Sequence, residues 1–250
     1  MLKYTNAVLI KHYIQGNSIF MNQTVVIHQP DFLPYLGFFQ RFLHADLWIV
    51  LDNVQFVRKG KGWNNRDKIK TVNGEKWLTV AAEKCPLKTP INEVLLSAIN
   101  WRENNLNLII DNYKKARYFN EIIPYIQNLY NFQCEKLVDF NLKSIDMLME
   151  IFDIKIEKIM ASNLNPEGSK NDLLIDLLKK VNAKIYLSGI GAENYLTPEL
   201  FEKEEIKVIW QDFKHPVYNQ LHGEFIPYLS SIDLLFNCGI EKSRKILRNC

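Results

Sequence analysis

At 250 residues with 47% hydrophobic residues the chain can bury a core of its own, which excludes an intrinsically disordered protein. Its 31 Lys and Arg against 28 Asp and Glu leave a net charge of +3, well short of the surplus of a chain that lives on phosphate backbones. The unusual component is aromatic, 12% with 11 Tyr, 14 Phe and 5 Trp, and the polar handles of Tyr and Trp make their positions a guide to a site.

In residues 1–20, Lys11 and His12 interrupt the short apolar stretch 7–10, so the pattern fails as a signal peptide. Met21 follows directly before a strand-like run, and residues 1–20 are expected to be a dispensable N-terminal extension. No stretch approaches eighteen apolar residues. Cys85, Cys134, Cys238 and Cys250 are scattered, with no CxxC pair and no zinc-like spacing, so thiols in a cytoplasmic protein without a metal site are expected.

Residues 24–27 are a β-branched run that ends at His28-Gln29-Pro30-Asp31, where Pro30 and Pro34 forbid regular structure. Residues 37–44 read as a short helix with Phe38, Phe39, Phe42 and Leu43 inward, and 47–51 (LWIVL) as an uninterrupted apolar strand. Strand, helix, strand within thirty residues is a βαβ unit of a parallel sheet covered on both faces. The segment 57–70 carries six basic residues in fourteen, and Asn73-Gly74 predicts a hairpin turn before a strand at 77–82. Residues 101–152 hold three helical patterns, a bundle-like insert. The α/β rhythm resumes with strand 155–160, helix 170–181, strand 185–188 and strand 206–211, and a last helix is predicted over 230–236. The expected fold is therefore α/β, a Rossmann-like parallel sheet with helices on both faces and a helical insert. Its halves fall at 21–100 and 153–250, with the insert at 101–152.

In such a sheet, ligands are met at the carboxyl ends of strands. His28 ends the first strand, followed by Gln29 and Asp31 in a loop that contains Phe32 and Tyr35. Asp52 and Gln55 follow the second, and the Asp52 carboxylate could orient the His28 imidazole as a base. Lys59, Trp63, Asn65 and Arg66 suit a nucleotide-linked ligand, the indole stacking on the base and the cations meeting phosphate. A solvated loop with one Trp packed onto the core is the alternative, preferred for the outer lysines, and a nucleic-acid contact ranks lower because the rest of the chain is nearly charge-balanced and shows no reader motif. Lys170 precedes a helix N-terminus, where an anion can be held, and Ser188 opens a Ser-Gly-Ile-Gly turn after a strand. His215-Pro216-Val217-Tyr218-Asn219-Gln220 forms a second polar and aromatic loop, again after a strand. Asp233, in an otherwise apolar helix, is either an acid paired to that loop or a functional carboxylate.

The blocks IHQPDFLPYLGFFQRFLHADLWIVLDNVQF, WNNRDKIK, KIYLSGIGAENYL, HPVYNQ and LSSIDLLFNCG, in this order from Val25 to about Gly239, together resemble the WbqC-like proteins. The family pattern around the tryptophan reads Trp-Gln-Asn-Arg-Asn; here Asn64 and Asp67 stand in place of the Gln and the second Asn. The resemblance implies a bacterial cytoplasmic protein of O-antigen or capsule gene clusters that transfers an acyl group, such as glycyl, to the amino group of a nucleotide-linked amino sugar. On that reading His28, Asp52, Gln29 and His215 are the catalytic set, and Asp31, Tyr35, Gln55, Lys59, Trp63, Asn65, Arg66, Lys170, Ser188, Tyr218 and Gln220 bind substrate. The acyl donor stays open among an aminoacyl-tRNA, a carrier thioester and a free amino acid with ATP. No other nucleic-acid partner is expected. A more distant likeness, of the His28 loop to the HxGH loops of adenylate-forming nucleotidyltransferases and pantothenate synthetases, supplies the alternative in which ATP is the cofactor. A third reading is a sugar-nucleotide-binding protein without catalysis.

Overall fold

A computed structural model describes residues 23–58 and 62–250; the expected extension 1–20 and Lys59 lie outside the described residues. Two compact units divide the chain, and each is drawn from several separate stretches.

The described part of the first unit comprises residues 23–28, 44–50 and 156–212. It is a five-stranded, wholly parallel sheet of β1 (Thr24–His28), β2 (Leu47–Val50), β5 (Glu157–Met160), β6 (Ile185–Ser188) and β7 (Lys207–Trp210) in the order β5-β2-β1-β6-β7. Central β2 is buried along its whole length, which is why LWIV is apolar without alternation. In register Val25 faces Leu47 and His28 faces Val50, while Val25 also faces Tyr186. The direction of winding reverses between β1 and β6, the point at which open α/β sheets take ligands. Helices α5 (Asn171–Lys180) and α6 (Pro198–Glu202) belong to this unit, so the fold is mixed α/β with a parallel sheet, as the apolar runs imply.

The second unit holds residues 29–43, 51–155 and 213–250. Its elements are α1 (Leu36–Phe42), the antiparallel hairpin β3 (Arg66–Thr71) and β4 (Gly74–Thr79), α2 (Trp101–Tyr113), α3 (Phe119–Asn131), α4 (Leu137–Phe152) and, after the two helices of the sheet unit, α7 (Ser231–Arg248). Phe39 packs on Phe152 with ring centroids 5.4 Å apart, Phe140 on Trp101 at 5.0 Å, and Tyr113 stacks on Phe236 at 4.6 Å. Two boundaries differ from the sequence expectation. The second hairpin strand begins at the turn itself, Gly74 with φ of 93°, and ends at Thr79. The last helix runs on to Arg248 beyond a kink at Gly239, whose φ of 74° and position against the Tyr118 ring admit no side chain.

Candidate functional site

The loop 29–35 is held along its length. Leu33 is buried with φ of 42°, a conformation that a branched residue keeps only when its surroundings enforce it. Here Leu33 N–H donates to Ser144 Oγ (3.3 Å), Ser230 Oγ donates to Leu33 O (2.7 Å), and Ser231 donates to Pro34 O through both N–H and hydroxyl. From α4, Asn141 Nδ2 donates to Pro30 O (2.7 Å) and to Asn64 O.

At the centre lies Asn64, wholly buried, whose Nδ2 donates to Gln29 Oε1 (3.0 Å) and Asp31 Oδ1 (2.9 Å). Burial pushes the Asp31 carboxyl up to about 7, against the opposing pull of the buried Arg41 guanidinium and the Asn64 amide. Burial likewise raises Asp67 well above the usual carboxylate range; the Asp31 charge adds to this, and the Lys68 N–H at 2.6 Å opposes it. The Tyr35 phenol is raised too, by burial first and with Arg41 opposing. Such a cluster can take up or release a proton near neutral pH.

The loop 213–229 has no regular secondary structure, a length at which loops are usually functional. Its middle, from Tyr218 to Glu224, is anchored. Asp233, buried in the first turn of α7, accepts from Tyr218 OH (2.9 Å) and Tyr113 OH (2.7 Å), so it is an acid paired to the loop; burial raises its pKa. Lys70 is buried in β3 and donates to Gln220 Oε1 (3.1 Å), to Gly223 O (3.3 Å) and to Glu224 O. Asn237 Oδ1 accepts from Leu221 N–H at 3.0 Å.

His215 sits at the near end, ringed by Tyr228, Phe225, Phe213 and Tyr218 with centroids 5.0, 5.8, 5.9 and 6.3 Å away. Its Nδ1 is 3.0 Å from Pro216 O. A carbonyl only accepts, so Nδ1 carries the hydrogen and Nε2 of the neutral ring carries a lone pair. That Nε2 is buried with no hydrogen-bond partner among the described residues. Burial also lowers the pKa below 6.5, against the Pro216 contact. Tyr35 joins the two loops, its ring 5.9 Å from Phe213 and 6.2 Å from Tyr228. A Cβ on Gly37 would fall 2.4 Å from the Tyr35 ring, so that position needs a glycine.

Of the residues singled out in the sequence, Gln29, Asp31, Tyr35, His215, Tyr218 and Gln220 share this region of the second unit. Asp52, also there, is buried and accepts from Asn92 Nδ2 (3.0 Å), while Gln55 is exposed in a bridge to Pro90. Asn65 Nδ2 donates to Val80 O (3.0 Å), and Trp63 and Arg66 lie on the hairpin. His28, Ser188 and Lys170 belong to the sheet unit. His28 and Ser188 end the strands on either side of the winding reversal, and Lys170 is exposed directly before Asn171–Lys180 with φ of 53°. Arg41 and Asn141 escaped the sequence reading, Lys70 entered it only as part of the basic segment 57–70, and Asn64 and Asp67 only as departures from the family pattern. Asn141 had a signal, a polar residue in helical register with inward Ser144, Ile145 and Leu148.

A model of the WbqC-like protein family matches residues 29–245. The chain is 29% identical over 229 residues to the uncharacterized protein Rv1507c of Mycobacterium tuberculosis, which covers 90% of this chain and 98% of that protein. No solved structure matches significantly. Among the described residues no helix is long and apolar enough to cross a membrane.

Proposed function

This chain belongs to the WbqC-like protein family, and from that premise we propose that it acylates the amino group of a nucleotide-linked amino sugar, with His215 as general base. The observation that carries the reading is the His215 ring, a desolvated imidazole with Nδ1–H fixed on Pro216 O and an unclaimed lone pair on Nε2. An ammonium cannot attack a carbonyl, so the reaction needs a base that is unprotonated at neutral pH. As the amine nitrogen bonds to the acyl carbon, its proton passes to Nε2; the tetrahedral intermediate then collapses, and the leaving group departs with that proton. Gln29, held by the buried Asn64 amide, supplies an amide group for the substrate's polar edge, and Asp31 is a second group that exchanges protons near pH 7. Tyr228, 55% exposed, is the nearest ring to the imidazole.

The test is mass spectrometry of products from purified protein offered nucleotide-linked amino sugars with aminoacyl-tRNA, acyl-carrier thioester or amino acid plus ATP. The expected product is an N-acylated sugar nucleotide. His215→Ala is expected to lower turnover by about two to four powers of ten with unchanged circular dichroism. Full activity in that variant removes His215 from the mechanism, and pyrophosphate exchange with ATP assigns the chemistry to adenylation instead.

A further inference from the structure

Two buried side-chain amides beside loop 29–35 use every donor they have. Asn64 Nδ2 donates to Gln29 Oε1 and Asp31 Oδ1, and Asn141 Nδ2 donates to Pro30 O and Asn64 O. A primary amide carries two N–H donors, so neither residue has one left. Main-chain carbonyls only accept, which fixes the orientation of Asn141, and the ionised Asp31 carboxylate does the same for Asn64. Both amide oxygens, Asn64 Oδ1 and Asn141 Oδ1, are then left buried with no hydrogen-bond partner among the described residues.

The surroundings add more oxygen and mostly negative charge. Asp67 is buried close by, and the Asp31 charge helps burial to raise it. Tyr35 feels both carboxyls and Tyr228, with the Arg41 guanidinium opposing them. The groups that face Asp31 are therefore Arg41 from α1, Asn64 and Asp67 from the hairpin and its approach, and Tyr35 from its own loop. Gln29 and Asp31 are the half-buried members, so a ligand reaches the cluster on their side, with wholly buried Asn64 as the floor.

Asn64 Oδ1 shares its carbon with the nitrogen that lies 2.9 Å from Asp31 Oδ1, so one ligand atom can meet both oxygens at about 2.8 Å each. What fits is a group that donates several hydrogens and accepts none. A hydroxyl would set its own lone pairs against these oxygens. A magnesium or calcium ion asks for about six to eight oxygens, and among the described residues no three of His, Cys, Asp or Glu gather to hold a metal. A primary ammonium has three donors, no acceptor, and a positive charge to set against the carboxylate.

We infer that Asp31 and Asn64 form a subsite for a primary ammonium, which bridges the Asp31 carboxylate and Asn64 Oδ1. In conjunction with the acylation reading, on which this clause rests, the ammonium comes from the amino sugar before His215 deprotonates it or from the α-amine of an aminoacyl donor.

The experiment follows the side-chain amide signals of Asn64 by NMR of the full chain at pH 7 on addition of glucosamine, glycinamide, N-acetylglucosamine or magnesium chloride. Glucosamine or glycinamide is expected to shift them, and the tighter of the two assigns the amine to the acceptor or to the donor. N-acetylglucosamine, whose amine is capped, should leave them in place. Methylammonium stays charged from pH 6 to pH 8 and should bind about tenfold more tightly at the upper end, where Asp31 has lost its proton. Asp31→Asn should weaken binding at pH 8 by about tenfold and flatten the pH series, with circular dichroism unchanged; should that variant fail to fold, the wild-type pH series decides. The subsite is overturned by Asn64 signals that no amine moves, by an equal response to N-acetylglucosamine, by displacement of the amines with magnesium, or by an affinity that is flat with pH. Sugar acylation by a protein whose Asn64 signals no amine moves defeats this subsite alone. Amine binding here by a protein that acylates no sugar keeps the subsite and defeats the acylation reading.

Discussion

Loops 29–35 and 213–229 are alike in sequence, each polar, aromatic and proline-bearing after a strand, yet they treat their polar groups in opposite ways. Backbone groups of the first are taken up by Asn141, Ser144, Ser230 and Ser231, and Asn64 holds both Gln29 and Asp31. The second is anchored at its middle, from Tyr218 to Glu224, by Asp233, Lys70, Asn237 and Asn112, and leaves Nε2 of His215 buried without a hydrogen-bond partner among the described residues. An unsatisfied buried polar atom costs about 1–3 kcal/mol; Asn64 Oδ1 and Asn141 Oδ1 beside the first loop carry that cost as well, but of these atoms His215 Nε2 alone is a basic nitrogen whose lone pair can accept a proton near neutral pH. The first loop is a support that carries a titrating carboxyl; the second is an anchored arm that presents a base.

Removing the anchor should blur that contrast most. Asp233→Ala strands the hydroxyls of Tyr113 and Tyr218 in the core, and a loss of about 2–5 kcal/mol in urea denaturation is expected, with His215 released from its ring of aromatics. A loss below about 0.5 kcal/mol would show that the loop is held by other means. Asp31→Asn sharpens the comparison through pH. Folding raises the Asp31 pKa, so between about pH 4 and pH 7 the folded state keeps a proton that the unfolded state has lost, and stability falls as pH rises through that window. The variant lacks this contribution and should lose less stability than the wild type between pH 5 and pH 8, by on the order of 3 kcal/mol. Parallel stability curves for the two proteins would contradict a desolvated Asp31. Gly37→Ala acts on the link between the loops, since the added methyl displaces Tyr35; about 1–3 kcal/mol of destabilisation is expected, together with a larger fall in kcat/KM than in stability-matched core variants. Wild-type kinetics would show that Tyr35 couples nothing.

The sheet was legible because its strands are apolar runs between turn residues: LWIV, VVIH and IYLS lie where the pattern places them. β3 was not, since RDKIKT reads as a charged surface while Asp67, Ile69, Lys70 and Thr71 are all buried. Charge hides burial whenever the partner is a distant carbonyl, as Gly223 O and Glu224 O are for Lys70. Asn64 and Asp67 drew little notice as departures from a family pattern, yet they sit at the heart of the polar cluster. His215 was legible as a candidate, but its tautomer and its bare Nε2 follow from geometry that no spacing encodes. The far half of α7 was hidden by Gly239, which reads as a helix stop and serves as a kink.

The protonation state of one ring decides whether His215 can act as a base. An NMR titration that follows both imidazole nitrogens of His215 reports tautomer and pKa together. The prediction is a hydrogen on Nδ1, a bare Nε2 at pH 7 and a midpoint below 6.5, with the acid limb of kcat/KM at the same pH. A hydrogen on Nε2 at pH 7, or a midpoint above 7, would contradict it.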